Sequence, residues 1–213
     1  MKRKNFYIAL CLLTMFIIWT LLVCFADVRA IGPRFSRVGF STLNEFVHTL
    51  TGTNMLLYEI TDWLGLVPIA TALGFAIFGL VQLIKRKSLF KVDYNILALG
   101  VFYIIVIWVY ILFELVIINY RPVLINGYLE ASYPSSTTML VISVMTTAIM
   151  QFEIRIKNHL FRKIICSAIS IFVAFMVIGR LISGVHWISD IIGGALFSLG
   201  IVIMYHYFVV DKL

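Results

Sequence analysis

Residues 179–190 read G-R-L-I-S-G-V-H-W-I-S-D. One long apolar run ends as the stretch begins and another follows it, so it reads as a short turn joining two membrane helices. Ionisable residues are costly at a membrane edge, and three stand here: Arg180, His186 and Asp190. His186 and Asp190 are four residues apart and share a face once the helix has begun. A carboxylate on one imidazole nitrogen leaves the other free to act as nucleophile or base. Simple pairing of Asp190 with Arg180 is the structural alternative.

The rest of the chain supports the membrane reading. The 213 residues are 62% hydrophobic and 13% charged, fewer charges than a water-soluble domain of this length carries. Apolar segments at about 6–25, 65–84, 96–118, 136–152, 161–180 and 187–209 predict six spans. The first follows Met-Lys-Arg-Lys, is long for a signal peptide, and is expected to be a retained anchor. The fold class expected is therefore all-α, a six-transmembrane-helix bundle in one domain over 1–213. The net charge of +7 sits in short basic runs, which speaks for topology and against nucleic-acid binding. Lys2, Arg3, Lys4, Lys85, Arg86, Lys87, Lys91, Arg155, Lys157, Arg162, Lys163 and Lys212 fall on one side, and Arg29, Arg34, Arg37, Arg121 and Arg180 on the other. That bias predicts cytoplasmic termini and an outward-facing 179–190 turn.

Residues 27–64 then lie outside. Thr42 and Glu45 have capping-box spacing, and Leu43, Phe46, Val47 and Leu50 follow at helical spacing before Gly52. The segment is expected to be amphipathic and helical, either lying on the outer membrane surface or packed as a cap over the bundle. Cys11, Cys24 and Cys166 sit inside apolar runs and read as small hydrophobes.

The outer ends of the spans gather further polar groups. Span three ends in F-E-L-V-I-I-N-Y-R-P, with Glu114 and Arg121, and span four opens with P-S-S-T-T from Pro134. Two arginines suit a phosphoryl group in charge and geometry. Hydroxyls and N–H groups at a helix start serve as caps or as an anion cradle. The combination at one depth predicts an anion site. His48, on the outer amphipathic segment, is read as a surface residue or else as one near the site, and no metal site is implied by the scattered histidines.

These residues resemble the type 2 phosphatidic acid phosphatase (PAP2) family, whose pattern is K-x6-R-P, then P-S-G-H, then S-R-x5-H-x3-D. The third piece keeps Arg180, His186 and Asp190, with Gly179 for the leading Ser. The first keeps Arg121-Pro122 but has Glu114 for Lys, and the second keeps Pro134-Ser135 but has Thr137 for His. The resemblance implies a hydrolase of lipid phosphates or polyprenyl diphosphates that needs no metal or cofactor. It implies His186 as nucleophile forming a phosphohistidine, Asp190 orienting it, and Arg121, Ser135, Ser136 and Arg180 binding phosphate. Thr137 stands where the family's general acid would be. Glu114 is expected to pair with Arg121 and orient it, or else to carry a proton. The alternative implied by these departures is a protein that binds lipid phosphates or transfers a phosphoryl group or headgroup. A transporter or channel would leave the R-x5-H-x3-D spacing unexplained.

Overall fold

A computed structural model describes residues 2–210, without the side chains of Lys2 and Val210; Lys212, counted above for topology, lies outside the described residues. Helix α1 spans Lys2–Phe25, α2 Ser41–Thr51, α3 Met55–Leu64, α4 Leu66–Arg86 and α5 Tyr94–Leu115. A non-helical segment of about 20 residues follows α5 and leads to α6 at Ser136–Leu140. The π-helical stretch Val141–Met145 joins α6 to α7, Thr146–Arg155. Helices α8, His159–Ile182, and α9, Ile188–Val210, complete the chain as described. Six helical stretches are long and apolar enough to cross a membrane, as predicted, and the protein is an integral membrane protein with an all-helical bundle fold.

The six stretches are not equivalent. In α9 61% of the span window is buried, and in the 136–155 stretch 56%, against 6–28% in the other four. These two therefore form the inner helices. Phe16 and Val23 of α1, Leu99, Phe102 and Val106 of α5, Met139 of α6 and Phe197, Ile201 and Tyr205 of α9 make the main core. The outer helices show Leu, Ile, Val and Phe on their free faces, as a surface solvated by lipid tails requires.

The 27–64 segment departs from the expected detail. The capping box does not form: α2 starts after Phe40, and the Thr42 N–H donates to the Asp27 carboxylate at 2.6 Å. A carboxylate brought from the preceding turn outcompetes the local Glu45. That bond and the Thr42 hydroxyl hold the Asp27 carboxyl well below its usual range. Helix α3 runs almost straight into α4, giving one apolar stretch over Met55–Arg86 rather than a span beginning near 65. Helix α2 packs against α9 and α3 against α8, so the segment is a cap over the bundle. Phe46, Leu50 and Trp63 remain exposed on its outer side.

Among the described residues, charged groups are confined to the two ends of the bundle. At one end Asp93 accepts hydrogen bonds from Arg86 and Gln82, lies 3.5 Å from Arg155, and thereby ties the α4–α5 turn to α7. Burial pushes the Asp93 carboxyl up, but these bonds outweigh it and leave it lowered. Gln151, Tyr205 and the Asn95 carbonyl extend the network to α9. The other end holds the α8–α9 turn.

Gly39 locks the cap to α1. A Cβ there would lie 1.7 Å from the Val23 carbonyl oxygen, a main-chain atom that cannot swing away. Gly39→Ala is expected to lower stability by about 1–3 kcal/mol or more through overpacking. Gly74→Ala, with nothing within 4 Å of the new methyl, is the matched control. Thermal unfolding in detergent should show a lowered midpoint for the first and none for the second.

Candidate active site

His186 sits in the α8–α9 turn, and the cap fixes that turn from above. Gly184 adopts φ +65° where its Cα faces the Gly52 carbonyl, a close approach that a side chain would prevent. The Asn54 N–H donates to the Ser183 carbonyl at 2.9 Å. His48 Nε2 lies 3.1 Å from the Gly184 carbonyl oxygen, and its ring packs on Trp187. His48 is thus part of the site's support, not a surface residue. The Trp187 indole N–H donates to the Tyr120 carbonyl at 2.7 Å, tying the turn to the segment after α5.

Asp190 lies behind the imidazole in the first turn of α9. Its Oδ2 is 3.7 Å from His186 Nδ1 and accepts the Trp187 N–H at 3.0 Å. Its Oδ1 accepts from Asn119 Nδ2 at 3.3 Å and from the Ser189 hydroxyl at 3.4 Å. Asn44, fully buried on α2, holds Ser189 through both its N–H and its hydroxyl. The carboxylate is therefore aimed by residues from three separate segments. With Nδ1 turned toward Asp190, Nε2 is the ring nitrogen left for chemistry. Burial, then the positive charges of Arg121 and Arg180, push the His186 pKa well below the usual imidazole value, which favours the neutral, nucleophilic ring.

Two guanidinium groups act on this ring by charge, and Arg121 shares its cavity. Arg180, 2% exposed, donates from one terminal nitrogen to Asp62 at 3.0 Å and Thr137 Oγ1 at 2.8 Å. Its other terminal nitrogen donates to Thr61 at 3.2 Å and the Tyr58 carbonyl at 3.3 Å. Asp62 is its partner, not Asp190. Arg121 has its main-chain N–H on the Glu130 carbonyl and its Nε 3.1 Å from the Glu130 carboxylate. Glu130 supplants Glu114 as the partner because the chain doubles back after Arg121 through the Ile125–Tyr128 turn. The Tyr58 ring centroid lies 4.9 Å from the Arg180 guanidinium carbon and 5.7 Å from that of Arg121, so one aromatic ring serves both cations.

The hydroxyls of 135–138 divide their roles. Ser135 caps α6, its Oγ accepting from the Thr138 hydroxyl at 3.0 Å, and its N–H donates to the Asp190 carbonyl at 3.1 Å. Ser136 lines a small cavity together with Glu114, Arg121, Ser132 and His186. Thr137 holds Arg180. Among the described residues, Arg121 Nη1, Arg180 Nε and both His186 nitrogens are buried without a hydrogen-bond partner. Buried polar atoms are rarely left so. Arg121 and His186 line one cavity, and an unpaired guanidinium donor beside an imidazole suits an oxyanion.

The PAP2 superfamily model matches residues 115–213, which hold both arginines, the hydroxyl run and the His186–Asp190 pair. Residues 115–213 carry the PAP2 superfamily pattern. Its fold is similar to the crystal structure of a transmembrane PAP2-type phosphatidylglycerolphosphate phosphatase from Bacillus subtilis, with a TM-score of 0.65 at 17% identity over 97% of this chain and 96% of that one. No curated protein matches the sequence.

In this part of the chain the structure brings His186, Asp190, Arg121, Arg180, Ser136 and Thr137 together. Ser135 is adjacent but spends its hydroxyl on the helix start. Sequence reasoning missed Asn119, Tyr58, Asp62, Asn44 and Glu130. Asn119 had a signal, since it stands two residues before Arg121 inside the quoted N-Y-R-P run. Tyr58 and Asp62 lay in the segment read as a membrane-surface helix or cap, with no pattern pointing inward.

If the unpaired donors form an anion site, inorganic vanadate should bind the purified protein in detergent. Arg180→Ala should weaken that binding by roughly 10–150-fold, the loss of about 1.5–3 kcal/mol for a charged hydrogen bond. Arg29→Ala, whose partners are Asp27 and Thr42, should leave it unchanged. Calorimetric titration measures both.

Proposed function

We propose that this protein is a membrane lipid phosphatase that hydrolyses a lipid phosphate or polyprenyl diphosphate at the outer leaflet through a phosphohistidine. The observation that carries the reading is a buried imidazole with a carboxylate behind it and two arginines before it. His186 Nε2 attacks phosphorus, the bond to the lipid oxygen breaks, and water then releases phosphate from the histidine. Asp190 holds the ring and offsets its charge in the intermediate. Arg121 and Arg180 stabilise the charge on the phosphoryl oxygens, which is how catalysts of phosphoryl transfer chiefly act.

The family name and the fold of the Bacillus phosphatase support lipid phosphates as the substrate class. Thr137 is too weak an acid to protonate an alkoxide near neutral pH. A diphosphate releases a phosphate monoester, which needs less help, so polyprenyl diphosphates fit the site easily. The outward orientation rests on the basic residues. Lys85, Arg86, Lys87, Lys91, Arg155, Arg162 and Lys163 gather at the end of the bundle opposite His186, and the site end has only arginines. We take the whole chain as one domain, with its termini in the cytoplasm.

Protein reconstituted in liposomes should release inorganic phosphate from phosphatidate, phosphatidylglycerol phosphate or undecaprenyl diphosphate. His186→Ala should bring release to background and abolish an acid-labile, base-stable phosphoenzyme trapped by rapid quenching. Absence of release from all three lipids by the wild type sinks the proposal. The pH profile should carry the same signature. Because the His186 pKa is depressed, the neutral nucleophile is present above that value and is lost as pH falls through it. The acid limb of kcat/KM should therefore lie below the ordinary imidazole value of about 6.5.

A further inference from the structure

We infer that Glu114 is the general acid of this site, donating the proton that the lipid oxygen needs as it leaves. The inference rests on the phosphatase reading above and names the group that completes it. Glu114 is the only carboxyl among the residues lining the cavity that holds His186, Arg121, Ser132 and Ser136. It is also free for the task. Arg121 has its ion pair with Glu130, and Arg180 with Asp62, so neither arginine claims Glu114. Its neighbour is Tyr110, one turn earlier on α5, through a side-chain hydrogen bond.

Position selects it for the leaving-group side. His186 is 3% exposed and forms the floor of the cavity. Glu114 is exposed, on the last turn of α5, at the mouth and at the end of a membrane span. In an in-line displacement the bond that breaks points away from the nucleophile. Attack from the floor by His186 Nε2 therefore sends the lipid oxygen toward the mouth, where Glu114 and the membrane both are. The other lining hydroxyls are poorer donors. Tyr133 shares a 2.7 Å hydrogen bond with Thr20, and Thr137 lies outside the lining and takes its bond from Arg180.

The step balances without a further reactant. As the histidine–phosphorus bond forms and the phosphorus–oxygen bond breaks, the Glu114 carboxyl gives its proton to the departing oxygen and becomes a carboxylate. The lipid alcohol leaves into the membrane. Water entering from the mouth gives a proton back to Glu114 and attacks phosphorus, which releases inorganic phosphate and the neutral imidazole. One carboxyl thus serves both half-reactions, because leaving group and water use the same side. With this acid in place, alkyl monophosphates come within reach as well as diphosphates.

The test separates proton donation from binding. Wild type and Glu114→Gln, as full chains in detergent micelles, are given phosphatidate, whose alkoxide needs a proton, and p-nitrophenyl phosphate, whose phenolate does not. Phosphatidate turnover in Glu114→Gln should fall by about 10²-fold or more. The initial burst of nitrophenol, which reports phosphohistidine formation, should keep its wild-type rate, followed by slower steady release because the water step has lost its base. Glu114→Asp, which keeps a carboxyl, should recover part of the phosphatidate rate. Equal loss of the aryl burst and of phosphatidate turnover, or undiminished phosphatidate turnover, overturns the assignment of Glu114 while leaving the phosphatase reading intact. No turnover of either substrate by the wild type overturns both.

Discussion

A guanidinium buried inside a membrane bundle must be answered by other groups, and Arg180 sets that demand for this protein. Removing such an ion from water costs several kcal/mol even after relaxation. Its answer comes from two other helices: Tyr58, Thr61 and Asp62 on α3, and Thr137 on α6. Satisfying one charge therefore draws the cap and an inner helix onto the end of α8. The His186 turn begins three residues beyond Arg180, so the same demand places the imidazole.

The second constraint is the cap itself. A five-residue turn such as the one carrying His186 would be mobile on its own. Here Asn44, His48 and Asn54 hold it from above, while Asn119 and Trp187 tie it to the segment after α5. The polar network at the far end, built on Asp93, Arg155 and Gln151, fixes the same helices where the site does not reach. Between the two ends the described bundle carries no charge and only a few hydroxyl bonds such as Tyr103–Thr147, so position along the helices is set mainly by polar groups at the ends and by shape in the middle.

The departures from the family pattern become consistent once their partners are known. Thr137 is not a weakened acid; its oxygen is a ligand for Arg180, a role a hydroxyl performs well. Glu114 does not neutralise Arg121, because Glu130 already does. A carboxyl that neither arginine claims is thereby left among the residues lining the cavity. Substitutions that look like losses when each motif is read alone are accommodated by partners from other segments.

Much was legible in the sequence. The six spans follow from apolar length alone, since a membrane helix makes all its backbone hydrogen bonds within itself. The four-residue step from His186 to Asp190 and the pairing of Arg121 with Pro122 lie within single local stretches, so the chemistry they carry could be read in order. What the sequence did not disclose was who answers each charge. Asp62 meets Arg180 across 118 residues, Asn44 meets Ser189 across 145, and Tyr58 meets two arginines from two other segments. Glu130 displaces Glu114 from Arg121 only because the chain turns back on itself between them. A local motif specifies which groups are present at a membrane depth. Their pairing depends on which helices touch, and that is decided by packing the whole bundle at once.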